Sequence, residues 1–268
     1  VYTKLGELFK MSEYQSFIKW IYKDIGVDLN LYKEKQMKRR LTSLRDRRGF
    51  NNFKDYYDAL NNDDALRQEF LSRITINVSQ FYRNYKRWDI LKNDILPDLL
   101  KSKAQVKVWS AACSTGEEPY TMAMLLSDFY DLDQISILAT DIDDGAIEQA
   151  KVGVYSEKSL SEVPQNKIER FFTKEGSTYI MSDEIKKTVT FKKHNLLADD
   201  YGGPYDLIVC RNVLIYFTED AKRKVYQKFN EALTPQGILF VGSTEQLFRP
   251  QENNYEPVHT FFYKKMGH

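Results

Sequence analysis

The chain has 268 residues with a formal net charge of +1, 42% hydrophobic and 29% charged, the makeup of an ordinary globular protein with room for one large domain or a modest pair. No apolar run approaches the roughly 20 residues needed to span a bilayer, and the pattern of a secretory signal is missing, so a cytoplasmic protein is expected. Cys113 and Cys210 each end an apolar strand, and His194, His259 and His268 form no ligand cluster, which argues against metal and redox chemistry and for buried thiols.

Met11 is a candidate natural start and Met266-Gly267-His268 a candidate tag remnant, so residues 1–10 and 266–268 are set aside. From Ser12 to Lys92 the sequence reads as a run of short helices. Phe17, Trp20, Ile21 and Ile25 form the first apolar stripe, with Gly26 ending that helix. A basic helix follows from Leu29 to Arg48, with Leu31, Met37, Leu41 and Leu44 on its apolar side. Between Lys33 and Arg48 eight basic residues face two acidic ones, a local +6, so with +1 in total the rest carries −5. Phe53, Tyr56, Tyr57 and Leu60 mark a third helix, broken by Asn61-Asn62-Asp63-Asp64. Leu66 to Ile76 and Trp88 to Leu100 complete the set.

From Val106 strands and helices alternate. Strands are predicted at Val106–Trp109, Ile135–Ala139, Val189–Lys193, Asp206–Cys210, Gly237–Gly242 and, rich in aromatics, His259–Lys264. Helices are predicted over Tyr120–Tyr130, with Met122, Leu125, Leu126 and Phe129 in helical register, and over Gly145–Lys151. Repeated βα units imply a mostly parallel sheet with helices on both faces. Gly153 to Lys187 interrupts them as a small subdomain with antiparallel pairing around Thr178–Met181. The fold class is therefore α/β, a Rossmann-like sheet with an N-terminal all-helical domain and a small antiparallel β insertion. The domains are 12–92, 93–265 and, inserted within the second, 153–187.

The chemistry centres on Trp109-Ser110-Ala111-Ala112-Cys113-Ser114-Thr115-Gly116-Glu117-Glu118-Pro119. Small residues between a strand and a helix N-terminus let a ligand lie close to the backbone, in the crevice outside the carboxyl ends of parallel strands. Only one glycine of a dinucleotide fingerprint is present, and Glu117 and Glu118 would repel a pyrophosphate. A ligand with ribose hydroxyls and a positive charge, such as the sulfonium S-adenosylmethionine, suits the carboxylates better. Asp141, ending the second strand, can accept from two ribose hydroxyls or can simply cap a helix. Asn195 and Leu196 can border an adenine or form an ordinary loop. Arg211 to Phe217 ends the fourth strand, where the reacting end of a ligand lies. It lacks the Pro-Pro motif of nucleic-acid amino-methyltransferases. Tyr216 reads equally as a core aromatic. Ile74 to Arg83 places Asn77, Ser79 and Arg83 at a domain junction, as ligand contacts or as caps and solvated groups. The basic helix is a solvated face, a nucleic-acid patch or a docking surface.

Taken together, Asn77-Val78-Ser79-Gln80-Phe81-Tyr82-Arg83, Trp109 to Tyr120, Ala139-Thr140-Asp141-Ile142-Asp143, Asn195-Leu196-Leu197 and Cys210 to Phe217 closely resemble the CheR family, the glutamate O-methyltransferases of chemotaxis receptors. The resemblance implies that Asn77, Ser79, Arg83, Glu118, Asp141, Asn195, Leu196, Arg211 and Asn212 hold S-adenosylmethionine and its product S-adenosyl-L-homocysteine. Family members often have Thr where this chain has Ser79, and the hydroxyl is kept. It further implies that Arg83 and Tyr216 flank the transferred methyl, and that Lys38, Arg39, Arg40, Arg45 and Arg47 attract the acidic helices of methyl-accepting receptors. The other readings are methylation of RNA or a small molecule, and a cofactor-sensing adaptor without activity. The inserted subdomain corresponds to one that, in some relatives, docks a receptor's C-terminal peptide. It is shorter here around Lys174 to Met181, so no binding of the tethering pentapeptide is expected. No nucleic acid, no membrane insertion and a monomer complete the expectations.

Overall fold

The computed structural model describes residues 11–75, 79–101 and 103–267. These form two units, 11–75 together with Tyr216–Ala221, and 79–215 together with 222–267. Residues 79–92, grouped with the helices on sequence, fall in the second unit. Asn77 lies outside the described residues.

In the first unit, α1 (Glu13–Ile25) is capped by the Ser12 hydroxyl, which accepts from the Gln15 N–H. Its buried face is Tyr14, Phe17, Ile18 and Ile21, rotated from the predicted stripe because Phe17 is the hub of an aromatic cluster with Phe53, Tyr56 and Phe70. Trp20 is half-buried and tilts against Tyr57. The basic helix α2 (Glu34–Arg47) starts later than predicted. Leu29–Leu31 is a 3-10 turn, and Tyr32 then runs extended in an antiparallel bridge to Phe217. Lys33 N–H donates to the Tyr216 carbonyl and Thr218 N–H to the Leu31 carbonyl, each at 2.9 Å. Local spacing could not reveal this pairing, because its partner is distant in sequence. α3 (Phe53–Asn62) and α4 (Asp64–Thr75) follow. The predicted break between them narrows to Asp63, whose carboxylate accepts from Leu66 N–H and starts α4.

In the second unit, α5 (Tyr85–Ile90), a π turn (Leu91–Ile95) and α6 (Leu96–Leu99) run on as one helical stretch. The main sheet comprises β1 (Val106–Ala111), β2 (Ile135–Asp141), β6 (Val189–Lys193), β7 (Tyr205–Cys210), β8 (Leu233–Val241), β9 (Tyr255–His259) and β10 (Phe262–Lys265). Among the described residues it has seven strands in the order β6-β2-β1-β7-β8-β10-β9. The first five are mutually parallel and the last two pair antiparallel. The predicted terminal strand is thus a hairpin, turning between His259 and Phe262. Its outer strand β9 carries Pro257, and a register shift falls between Phe262 and Tyr263 on β10.

α7 (Glu117–Leu126) is buried on nearly every side, so it is a central helix and not the amphipathic one its spacing suggested. Phe129 lies beyond its end and is 38% exposed. α8 (Asp144–Val152) follows β2. The insertion builds a separate antiparallel sheet in the order β3-β5-β4, from Val154–Ser156, Thr178–Met181 and Phe172–Glu175. It also carries the short helices α9 (Gln165–Phe171) and α10 (Asp183–Lys186), and α11 (Glu219–Ala232) leads into β8. Trp109 of β1 sits in an aromatic cage of His194, Tyr201, Tyr205 and Phe229. A fully buried apolar ring such as Phe229 contributes about 1.5–3 kcal/mol through lost water contact. Among the described residues, no helix is long and apolar enough to cross a membrane.

Candidate active site

The strand order reverses direction at β1, with β2 on one side and β7 on the other. Ligands of open α/β sheets bind in the crevice at such a switch point, outside the carboxyl ends of the strands. Asp141 ends β2 and Ser110 and Ala111 end β1, while Asn195 and Leu196 follow β6 and Arg211 and Asn212 follow β7. Asp141, Asn195, Leu196, Arg211 and Asn212 therefore sit along one edge of one sheet, while Glu118 lies at the start of α7 and Ser79 and Arg83 precede α5.

The turn after β1 is tight. Ala112, Ser114 and Gly116 all adopt positive φ, Gly116 at 94°. A Cβ on Gly116 would lie 2.8 Å from Ala150 Cβ and 3.0 Å from the Tyr155 hydroxyl, so only glycine fits without displacing neighbours. The Tyr155 hydroxyl donates to the Thr115 carbonyl at 2.9 Å. Cys113 N–H donates to the Thr140 carbonyl at 2.8 Å, tying the turn to β2. Cys113 and Cys210 are fully buried, which pushes both thiols up and leaves them protonated.

Asp141 is buried, and its carboxylate accepts backbone N–H groups from Ser114 at 2.8 Å and from Asp143 at 3.0 Å, with a further backbone bond from Ile142. Two carboxylate oxygens offer about four acceptor sites, so capacity remains for a ligand hydroxyl. Burial raises its pKa, opposed by those backbone bonds. Glu118 accepts from the Ser110 hydroxyl at 2.9 Å and pairs with the Arg211 guanidinium at 3.7 Å. Burial pushes its carboxyl up to about 7 despite the pull of Arg211. Arg83 also acts electrostatically on both Glu118 and Arg211. Glu117 takes bonds from the Thr115 hydroxyl at 2.7 Å and from Ser79.

Arg211 is nearly enclosed. One terminal nitrogen donates to the Arg83 carbonyl at 2.7 Å and to Asn84 Oδ1 at 3.2 Å. The guanidinium lies 5.1 Å from the Trp88 ring and 4.9 Å from that of Phe240, a favourable placement for a desolvated cation. Its Nε finds no hydrogen-bond partner among the described residues. Asn212 follows with φ of 62°. Asn195 Oδ1 accepts from Leu197 N–H at 3.0 Å, and the buried Leu196 gives its carbonyl to the Tyr201 hydroxyl at 2.8 Å. The Asn195 turn is thus fixed and its apolar neighbour is packed.

These features suit S-adenosylmethionine: an acid with acceptor capacity to spare, a second acid whose charge is poorly compensated, and a buried guanidinium with an orphaned N–H. Sequence reading missed Ser110 as a partner of Glu118, Thr115 and Glu117 as a linked pair, and Glu245. The last is 2% exposed and bonds the backbone of the Arg211 turn. Ser110 was visible eight positions before Glu118, but Glu245 reads as a loop acid with no periodicity to mark it.

In the helical unit, Tyr216 is grouped with α2. The Arg40 guanidinium lies 5.2 Å from the Tyr216 ring and hydrogen-bonds it, while also donating to the Ile74 carbonyl at 3.1 Å. Burial lowers the Arg40 pKa, partly offset by Tyr216. Arg45 is likewise turned inward, 4.6 Å from the Phe53 ring and ion-paired to Asp46. Lys38, Arg39 and Arg47 are exposed, and with Lys35 they line an open groove of about 700 Å³. The five basic residues singled out by sequence therefore divide into two facing in and three facing out.

Residues 77–262 match the family model described as CheR methyltransferase, SAM binding domain, and residues 12–75 that described as CheR methyltransferase, all-alpha domain. A chemotaxis protein methyltransferase from Listeria monocytogenes is 42% identical over 254 residues, covering 94% of this chain and 97% of that one. Another from Borreliella burgdorferi is 33% identical over 267 residues and 94% of each chain. Among solved structures, an O-methyltransferase family protein from Burkholderia thailandensis overlaps with a TM-score of 0.39 at 16% identity, over 68% of this chain and 42% of that one. Both family models lie in tandem over nearly the whole chain, and it belongs to the CheR methyltransferase family, with an S-adenosylmethionine-binding domain behind an all-helical one.

Proposed function

We propose that the protein transfers the methyl group of S-adenosylmethionine to glutamate side chains on the cytoplasmic helical region of chemotaxis receptors, giving methyl esters in sensory adaptation. The observation that carries this reading is the crevice itself. Asp141, Glu118 and Arg211 stand at the carboxyl edge of adjacent parallel strands, in a chain whose relatives are named chemotaxis protein methyltransferases. The bound donor supplies a methyl on a sulfonium, which leaves as a neutral thioether.

The chain's residues bind, orient and exclude water. Asp141 takes the ribose hydroxyls, and Asn195 and Leu196 take the adenine. Asn77, Ser79, Arg83, Glu118, Arg211 and Asn212 hold the remainder of the donor. A substrate glutamate with an ordinary pKa of about 4.3 is already ionised at neutral pH, so no strong base is required. Catalysis then consists chiefly of alignment and of removing water from opposite charges. Arg83 orients the incoming carboxylate and Tyr216 hydrogen-bonds it, and neither is a nucleophile. Lys38, Arg39 and Arg47 attract the acidic receptor helix, while Arg40 supports Tyr216. We further assign the protein to the cytoplasm, as a monomer that binds neither nucleic acid nor the tethering pentapeptide. Saturable heat on titrating that pentapeptide overturns the last point.

The test is transfer of a tritiated methyl group to a receptor cytoplasmic fragment. Label that mild alkali releases supports the reading. Label appearing on RNA instead, or no transfer despite donor binding, rejects it. Arg83→Ala and Tyr216→Phe should each lower turnover, and wild-type rates with donor binding intact would remove their assigned roles.

A further inference from the structure

The turn that carries Arg211 and Asn212 contains neither glycine nor proline, and Asn212 takes φ of 62°, a left-handed conformation that asparagine tolerates better than most residues. A group from outside the turn fixes it there. Successive backbone N–H groups here point the same way and form a concavity of the kind that binds anions. The anion is supplied by the chain. Glu245 Oε2 accepts from Asn212 N–H at 2.6 Å and from Gly242 N–H at 2.9 Å, and Oε1 accepts from Leu214 N–H at 2.6 Å. The Val213 N–H adds a further bond. Glu245 is 2% exposed, so these charge-assisted bonds replace the water its carboxylate would otherwise hold.

Access to the turn depends on Gly242. A Cβ there would collide with Glu245 Oε2 and fall 2.9 Å from the Asn212 nitrogen. The main chain of Glu245 is fixed separately, by its own N–H to the Gly242 carbonyl at 3.0 Å and by the Tyr226 hydroxyl donating to its carbonyl at 2.9 Å. The negative charge of Glu245 also acts on Arg211 and on Glu118.

We infer that Glu245 is a positioning residue for the methyl donor: its carboxylate fixes the Arg211–Asn212 turn in the shape that binds the donor. This rests on the proposed reading of the crevice, and it adds to that reading a residue that never touches the donor.

Three variants test it, with S-adenosylhomocysteine as the probe in calorimetry and amide hydrogen exchange as a readout that needs no ligand. Glu245→Gln replaces an acceptor oxygen with a donor facing N–H groups. It should weaken binding about tenfold or more, leave the KM for a receptor fragment within about twofold, and speed exchange at Asn212 and Leu214. Gly242→Ala keeps the charge but displaces the carboxylate, and should weaken binding at least threefold. Tyr226→Phe removes only the main-chain anchor and should lower the melting temperature while leaving affinity near wild type. The inference fails if Glu245→Gln or Gly242→Ala binds the probe as wild type does, or if exchange at Asn212 and Leu214 is unchanged. It fails too if all three variants lose affinity only in step with lost stability. Should neither Glu245→Gln nor Gly242→Ala fold, the carboxylate supports the domain as a whole and the specific role is wrong. If the wild-type protein does not bind the probe, the crevice reading falls. The exchange result then still decides whether Glu245 holds the turn.

Discussion

Two turns on the same sheet edge differ in how far away their supports lie. The one after β1 joins positive φ at Ala112, Ser114 and Gly116 and small side chains to bonds with the neighbouring strand, where Asp141 accepts from Ser114 N–H and the Thr140 carbonyl from Cys113 N–H. The one after β7 has ordinary side chains and relies on a carboxylate from beyond β8. A turn tied to the strand beside it is stiff as soon as that strand pairs. A turn held by a remote group also depends on that group's charge and placement.

The comparison predicts where substitutions cost most. Arg211→Ala leaves Glu118 buried without its cation and should cost about 3–5 kcal/mol in stability. Donor binding should then be lost, as read by urea unfolding and titration with S-adenosylhomocysteine. Gly116→Ala strikes the other turn through both φ and the Ala150 contact, and about 1–3 kcal/mol of destabilisation is expected. If Gly116→Ala were neutral, the turn after β1 would have more slack than its contacts imply.

The raised carboxyl of Glu118 gives a pH test. Its folded pKa, pushed to about 7, exceeds the ordinary value of 4.5. The stability it contributes is therefore present below about 4.5 and lost as pH rises toward 7. Glu118→Gln should flatten the stability profile of the free protein across that window. If Glu118 faces the sulfonium donor as proposed, binding favours its ionised form and should release a proton near pH 7 in the wild type and none from this group in the variant. Calorimetry in buffers of different ionisation enthalpy measures the difference. The smallest effect is expected outside the crevice. Arg39→Ala and Arg47→Ala, both exposed, should raise the receptor KM a few-fold at low salt and leave S-adenosylhomocysteine affinity unchanged.

The same contrast explains what could be read in advance. The turn after β1, the parallel strands and the acid ending β2 are written in contiguous residues, and the structure places them on one edge. What escaped depends on distant partners. The late start of α2 follows from the bridge between Tyr32 and Phe217. The inward turn of Arg40 follows from Tyr216, and the role of Glu245 from the N–H groups it meets. The all-round burial of α7 depends on what packs around it, which the spacing of Met122, Leu125 and Leu126 cannot reveal. The terminal hairpin was read as one strand because its aromatic residues run up to the turn without a glycine or proline at the bend.

The sheet's two outermost strands also bear on how copies of the molecule meet one another. On one flank β9 carries Pro257, which offers no N–H to a newcomer, beside the register shift on β10. On the other, β6 ends in the exposed pair Lys192 and Lys193. Proline, irregular pairing and lysine all discourage a neighbouring chain from adding itself to a free flank. The sheet is thereby finished at both sides, and concentrated solutions should stay free of strand-to-strand aggregates.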